Sequence, residues 1–528
     1  MNARRILVFA LTANGILISS VGAQNQTIEV SDDGQQIVQV RESESDGTVT
    51  VRGTGVPYGV SPDWQNSLRV QVGGIQAEDM NGDGLVDVVV GCYHSNSFPP
   101  YDDWQNLIYF NTGNALEANP SWVSTDEVST GDIQVADINN DTYPDVFAAN
   151  GASSSAASVI YWGSPTGPSV TPGWFSAEPG TAWNNYAMPF DIDHDGDVDV
   201  VTANQGYNEF DPYRPIFIFF NDNGSLATVP GWQSAEISIQ NFLEFADYDG
   251  DGWEDLAVSK WSGFQSGIYK NVAGSLQTTP VWTTGDTDSD KGVAWADVDG
   301  NTWPDLALGH DPTLLYGNDA GTMAVTWSSS GPYFGHSDIR FADVDQDGDD
   351  DLAEVHFSDG RTHIYLNNDG VLDSVPTWTY DASPVGTAIA FGDINGDQWL
   401  DLIIGYSGDP SVVVFYATPL FTAGDFDDDG DVDLDDYYQF VPCYSGPGGG
   451  VATGCERGDF DFDIDVDCDD WNAFKLAWTG PPAEVPNFFP CDGGPVPAAS
   501  EWGLVVIALL LLAGGTVVIR TRRRFRCV

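Results

Sequence analysis

A nine-residue acidic motif recurs seven times: DMNGDGLVD from Asp79, DINNDTYPD from Asp137, DIDHDGDVD from Asp191, DYDGDGWED from Asp247, DVDGNTWPD from Asp297, DVDQDGDDD from Asp343 and DINGDQWLD from Asp393. Side-chain oxygens stand at positions 1, 3, 5 and 9. Such spacing folds alternate carboxylates over one hard cation, turns the carbonyl of position 7 inward and closes the shell with position 9. Calcium accepts roughly six to eight oxygens in flexible geometry, whereas magnesium demands a tight octahedron and keeps its waters, so Ca2+ is the expected ion. Glycine at position 6 permits the sharp turn, and Gly84, Gly196, Gly252 and Gly348 supply it. Those four loops give the shells Asp79, Asn81, Asp83, Asp87; Asp191, Asp193, Asp195, Asp199; Asp247, Asp249, Asp251, Asp255; and Asp343, Asp345, Asp347, Asp351. Thr142, Thr302 and Gln398 replace the glycine in the other three, which are expected to bind more weakly or stay empty. Their shells are Asp137, Asn139, Asp141, Asp145; Asp297, Asp299, Asn301, Asp305; and Asp393, Asn395, Asp397, Asp401. The competing reading is an Asx-turn loop without metal, since Asp and Asn bond to their own backbone. Three or four carboxylates within ~5 Å repel by several kcal/mol at an intermediate dielectric, so ion and fold are expected to be coupled.

Composition points the same way. The 528 residues carry 79 Asp and Glu against 18 Lys and Arg, a formal net charge of -61. Seven of the basic residues lie at the ends (Arg4, Arg5, Arg520, Arg522, Arg523, Arg524 and Arg526). Such a polyanion repels nucleic acid and anionic lipid, which excludes both as partners of the folded part. Disordered acidic chains are poor in aromatics, but here aromatics reach 12% and hydrophobics 42%, enough to build large cores. With so few basic side chains, a divalent cation is the expected counter-charge.

The elements that must hold the loops repeat with them. Loop starts are separated by 58, 54, 56, 50, 46 and 50 residues, and each loop precedes a short apolar strand such as Val88–Val90, Leu256–Val258 or Leu402–Ile404. Trp64, Trp122, Trp174, Trp232, Trp282, Trp327 and Trp378 each lie 15 to 17 residues before a loop. Further β-rich runs (Asn106–Phe110, Pro215–Phe220) and Asn-Gly turns such as Asn221–Gly224 fill the intervals, with no helical period. Units of about 50 residues with about four strands make a radially repeated β-propeller. An all-β, seven-bladed β-propeller is therefore expected over residues 61–420, with the Trp series packed between blades. The Asp loops and their following strands resemble the FG-GAP/VCBS repeat family, which includes the integrin α-subunit head; the literal Phe-Gly and Gly-Ala-Pro elements are mostly missing.

After Pro419 the period changes, and residues 421–480 form a second unit. Asp425–Asp436 is a twelve-residue loop with carboxylates Asp425, Asp427, Asp429, Asp433 and Asp436 at positions 1, 3, 5, 9 and 12 and Gly430 at position 6. A helical pattern follows at Tyr437, Phe440 and Val441, ending at Pro442. The partner loop offers Asp459, Asp461, Asp463, Asp467 and Asp470, has Ile464 in place of glycine, and leads into Trp471, Phe474 and Trp478 at helical spacing. The tandem resembles the dockerin type I, EF-hand-like calcium module, which implies a cohesin-like partner; a calcium-rigidified stalk is the other reading. Four cysteines here read as disulfides of an exported, core-poor module. Of the three pairings, Cys443–Cys455 with Cys468–Cys491 is favoured. Cys92 reads as a buried thiol outside any disulfide, and Cys527 lies beyond the final apolar run.

The two ends read as addresses. Residues 1–23, with Arg4, Arg5, an apolar run and Val21-Gly22-Ala23, form an expected signal peptide, and 24–60 a β-rich lead-in. Residues 481–502 are a Pro/Gly linker and sorting motif. Residues 503–528 hold an apolar stretch, Gly503–Ile519, at the short limit of a transmembrane helix, followed by an arginine-rich tail expected on the cytoplasmic side. Val496–Gly503, the span and the arginines resemble PEP-CTERM/IPTL-CTERM sorting signals, which implies processing at the membrane; a permanent anchor is the alternative. Both place residues 24–500 outside the cytoplasmic membrane, at a cell surface or envelope.

No nucleophile elbow, HExxH or phosphate-binding glycine loop is present. The six histidines are scattered without metal-ligand spacing, and His194, at a non-ligand loop position, is expected to face solvent. The expected function is a calcium-binding, surface-exposed binding or adhesion module for an extracellular polysaccharide or protein. A polysaccharide lyase or glycoside hydrolase, its paired carboxylates hidden among the many Asp, and a structural coat component are the alternatives.

Overall fold

The computed structural model describes the backbone of residues 6–12, 15–21, 40–42 and 49–51. It then describes 56–93, 105–113, 115–151, 157–177, 184–204, 213–287, 290–330, 335–382 and 384–418, and in the C-terminal unit 424, 426, 432–447, 449–451, 455–458, 460, 466–478 and 491. Ile6–Thr12 pairs with Gly15–Val21, and Val40–Glu42 with Val49–Val51.

From Trp64 to Phe415 the chain forms seven four-stranded antiparallel sheets. Blades 1 to 7 are numbered by their first strands: Val72–Glu78, Thr130–Ala136, Asn184–Phe190, Gln240–Ala246, Val293–Ala296, His336–Ala342 and Val385–Gly392. These first strands neighbour one another in cyclic order, and that of blade 7 returns to that of blade 1, so they form the inner ring. Six carry a register shift near their start, as between Thr130 and Asp132. A bulge raises local twist, as strands around an axis require; the short first strand of blade 5 has none.

The second strands are the most apolar because they are covered on both faces. Asp87–Cys92 and Leu256–Ser259 are buried throughout. Third strands such as Leu107–Tyr109 and Phe217–Phe219 are equally buried.

The tryptophan series sits on the outer strands and joins each blade to the next. Trp122 meets Tyr161 edge-on at 5.3 Å, Trp282 meets Tyr316 at 5.1 Å, and Trp327 meets Tyr365 at 5.4 Å. The indole N–H of Trp122 donates to Pro168 O at 2.8 Å, that of Trp174 to Leu226 O at 3.0 Å and that of Trp232 to Leu276 O at 2.9 Å. Each Trp thus belongs to the blade before the loop it precedes in sequence. The first makes the point: Trp64–Gln65 is the outer strand of blade 7, with Trp64 opposite Val414 and Gln65 opposite Val413. Asp63 N donates to Val414 O at 2.9 Å and Asn66 N to Val412 O at 3.1 Å, closing the ring with a strand from its other end.

The chain divides into two compact units, the second holding the C-terminal helices. Helix α1 is Leu434–Cys443 and helix α2 is Cys468–Ala477. α1 passes through Pro442 rather than ending there; in a last turn the missing N–H costs only one bond. Phe440, Trp471 and Phe474 form the core, with Phe440 and Phe474 centroids 4.6 Å apart. Cys443–Cys455 and Cys468–Cys491 are the disulfides, as favoured from sequence, and Cys92 is buried outside them. Among the described residues no helix is long and apolar enough to cross a membrane; the expected span within 503–528 lies outside them, as does the linker 481–502 apart from Cys491.

A ring of candidate metal centres

Each Asp nonapeptide joins the first and second strands of its blade, so all seven lie on one face of the propeller. The local backbone is the same in every copy. The position-1 carboxylate accepts the position-6 N–H in all seven, from 2.7 Å at Gly84 and Thr302 to 3.0 Å at Gly196 and Gly348. The position-5 side chain likewise accepts the position-7 N–H, as from Leu85 to Asp83 at 3.0 Å and from Trp303 to Asn301 at 2.8 Å. Position 6 has positive φ throughout: 84° at Gly84, but also 74° at Thr142, 75° at Thr302 and 65° at Gln398. The three glycine-less loops therefore adopt the same turn at a conformational cost, highest for β-branched threonine.

Position 9 does more than close a shell. Asp87, Asp145, Asp199, Asp255, Asp305, Asp351 and Asp401 are all buried, each at 1% exposure or less. In every blade one oxygen accepts a backbone N–H at the end of the third strand, as from Asn111 to Asp87 at 2.7 Å and from Ala417 to Asp401 at 2.8 Å. The other accepts the position-2 N–H in six blades, as from Ile394 to Asp401 at 2.8 Å. Burial outweighs these bonds and pushes the Asp87, Asp199, Asp255 and Asp401 carboxyls up to about 7. Asp351, buried and beside Asp345, rises to about 9.

Five asparagines, absent from the sequence reading as site residues, grip these loops from the neighbouring blade. Nδ2 of Asn111, Asn221, Asn271, Asn318 and Asn367 donates to the position-2 carbonyl of the preceding blade's loop: Ile394 (2.5 Å), Ile138 (2.7 Å), Ile192 (2.9 Å), Tyr248 (2.8 Å) and Val298 (2.9 Å). In four of these turns the glycine three residues on has positive φ and lies against position 3 of the same loop. A Cβ on Gly224 would come within 2.3 Å of Asn139 O. The recurring Asn-x-x-Gly was visible in sequence; its target was not.

Carboxylate oxygens converge within 4.8 Å of one another in four loops: Asp191, Asp193 and Asp195; Asp247, Asp249 and Asp251; Asp297, Asp299 and Asp305; and Asp343, Asp345 and Asp347. In three, the position-3 oxygen (Oδ1 of Asp193, Asp249 and Asp345) is buried without a hydrogen-bond partner. An orphaned buried carboxylate oxygen is costly unless a cation completes it, and an all-oxygen basket fits a hard divalent ion. Blade 4 differs, because Lys270 Nζ reaches Asp249 Oδ2 and lies 2.8 Å from Asp251 Oδ2. A side-chain ammonium thus supplies there the counter-charge that the sparse basic composition seemed to deny. His194 is exposed as expected, and in addition its ring stacks on Trp253 at 4.5 Å and Nε2 is 2.7 Å from Glu254, tying the loops of blades 3 and 4.

In the C-terminal unit, Asp436 and Asp470 are buried and equivalent. Asp436 accepts Phe426 N at 2.6 Å and Asp433 N at 2.7 Å; Asp470 accepts Phe460 N at 2.6 Å and Asp467 N at 2.7 Å. Asp425, Asp427, Asp429, Asp459, Asp461 and Asp463 lie outside the described residues.

Comparison with known proteins agrees with the repeat. The FG-GAP-like repeat model matches residues 79–148, 137–202, 191–258 and 343–404, each stretch starting at an Asp loop. No curated protein matches the chain. Among solved structures, a chain in the crystal structure of BBS1N in complex with ARL6DN, soaked with mercury, is 14% identical, with 70% of this chain and 100% of that one covered and a TM-score of 0.48. BamB from Moraxella catarrhalis is 15% identical, with 74% and 97% covered and a TM-score of 0.38. Repeat motif, register and ring closure converge: this chain carries FG-GAP repeats folded as a seven-bladed β-propeller.

Proposed function

We propose that the propeller is a calcium-stabilised binding module, exported and held at a cell surface or envelope, that engages an extracellular polysaccharide or protein. The observation that carries the calcium reading is the set of orphaned position-3 oxygens, Asp193 Oδ1 and Asp345 Oδ1, inside baskets of converging carboxylates. Positions 1, 3 and 5, the position-7 carbonyl and position 9 would hold the ion. It would neutralise the basket and lock each loop against the next blade, leaving the chain's own residues to present a rigid face. The binding role rests on fold-level analogy. The C-terminal unit, with its two equivalent buried aspartates, would be a second calcium element, a docking plug for a cohesin-like domain or a stalk, and residues 503–519 a membrane helix.

Thermal melts of the purified protein in EDTA and in millimolar calcium test the ion; the expected result is a higher melting temperature in calcium, and equal values would refute it. A glycan array read with and without calcium, beside a reducing-end and unsaturated-sugar assay, tests binding. Turnover without retention would replace the binding reading with an enzymatic one.

A further inference from the structure

Blade 6 departs from its siblings at a buried strand pair that is apolar in five of the other six blades. At one level of the sheet the second and third strands pair Val90 with Leu107, Ala148 with Val159, Thr202 with Phe217, Val258 with Gly267, Leu308 with Leu314 and Ile404 with Val413. In blade 6 this pair is Glu354 with His363, and His356 follows two residues along on the same face. Glu354 and His356 are 0% exposed and His363 1%. Two of the six histidines that looked scattered in sequence, His356 and His363, are thus brought together by strand register, which corrects the expectation for that pair.

Three donors crowd one oxygen. His356 Nε2 lies 3.1 Å, His363 Nδ1 3.2 Å and Tyr365 Oη 2.8 Å from Glu354 Oε1. The second carboxylate oxygen accepts Thr313 Oγ1 from blade 5 at 2.5 Å, which fixes the plane of the group. The three ligand atoms all fall within 4.8 Å of one another. Ligands on one tetrahedral ion with bonds of about 2.0 Å are separated by ~3.3 Å, close to the two carboxylate–imidazole spacings of 3.1 and 3.2 Å. Two imidazoles and a carboxylate form a donor set for zinc or a neighbouring transition metal, unlike the all-oxygen Asp loops. An outer hydroxyl orienting the ligating carboxylate is the support such sites carry.

We propose that blade 6 holds a structural transition-metal ion, with zinc the best match, ligated by Glu354, His356 and His363, with Tyr365 at the fourth side and Thr313 orienting the carboxylate. Buried between blades 5 and 6, the ion would enter during folding and stay.

The test uses the full chain, produced with added zinc, with added cobalt, and in metal-depleted medium, then dialysed and analysed for metal. The expected result is a single equivalent of zinc, a tetrahedral cobalt absorption spectrum, and a lower melting temperature for the depleted protein. His363→Gln should lose both metal and spectrum. The combined Glu354→Leu, His356→Leu, His363→Leu variant gives the Glu354–His363 pair the apolar character it has in most other blades; it should fold, carry no zinc and melt identically from all three media. Folded parent protein without stoichiometric zinc or cobalt, a melting temperature indifferent to the medium, or equal zinc in the apolar variant would each overturn the proposal and leave a hydrogen-bonded cluster. All preparations are brought to the same millimolar calcium before melting, so calcium in the Asp loops cannot account for a difference between them.

Discussion

Asn221→Ala probes the grip of one blade on the next loop. Asn221 Nδ2 donates to Ile138 O at 2.7 Å across the blade boundary and to Val198 O at 2.9 Å within its own blade. Asn221 is 5% exposed and Ile138 0%, so water cannot replace the amide. Losing the two bonds costs about 1 kcal/mol each, and stranding a buried carbonyl adds up to about 2 more, for ~2–4 kcal/mol in all. A unit of roughly 360 residues unfolds with an entropy near ~0.8 kcal/mol/K, so the melting temperature should fall by about 3–5 °C. Calorimetry at fixed calcium measures it, with coincidence of two spectroscopic probes as the check on two-state behaviour. Asn221→Asp, which turns an oxygen toward both carbonyls, should destabilise at least as much. The drop should be similar in calcium and in EDTA, because the bond is to backbone and not to an ion. A melting temperature within about 1 °C of the parent for both variants would refute the clamp, as would a drop confined to one calcium condition.

Lys270→Met should free the blade 4 basket, and equilibrium dialysis should then find one more calcium per chain; unchanged stoichiometry would mean that Lys270 does not compete. The triple change Thr142→Gly, Thr302→Gly, Gln398→Gly removes side chains from φ of 74°, 75° and 65°. Relief of ~1–2 kcal/mol at each site, less ~0.5–1 for glycine entropy, should raise stability by about 2 kcal/mol over the three sites, within a span of ~0–4.5, measured as a denaturant midpoint. Asp132 and Glu244, on inner strands, are pushed up to about 7, chiefly by burial and against the pull of Arg340. Raised carboxyls bind protons in the folded state, so their stabilising effect is complete below about pH 4 and is lost as pH rises through about 7. Asp132→Asn with Glu244→Gln should flatten that slope in urea midpoints taken at saturating calcium.

The parts legible in sequence were those that a few consecutive residues decide. Asp at position 1 and Asp or Asn at position 5, each an acceptor for a loop N–H, dictate the loop backbone, and the loop period with its apolar strands dictates repeated four-stranded sheets. The tight cysteine spacing after Pro419 belonged to this class too. Ring closure did not: Trp64 reads as the start of a repeat, yet it ends blade 7, because only a closed circle gives the first strand a partner at the far end. The same holds for Asn221 on Ile138, Lys270 on Asp249, Thr313 on Glu354, and Arg340 reaching Tyr186 across the axis at 3.1 Å. These partners are 21 to 154 residues apart. Local periodicity reports backbone conformation and which face is apolar; it carries no information on which side chains the closure of a ring will set opposite one another.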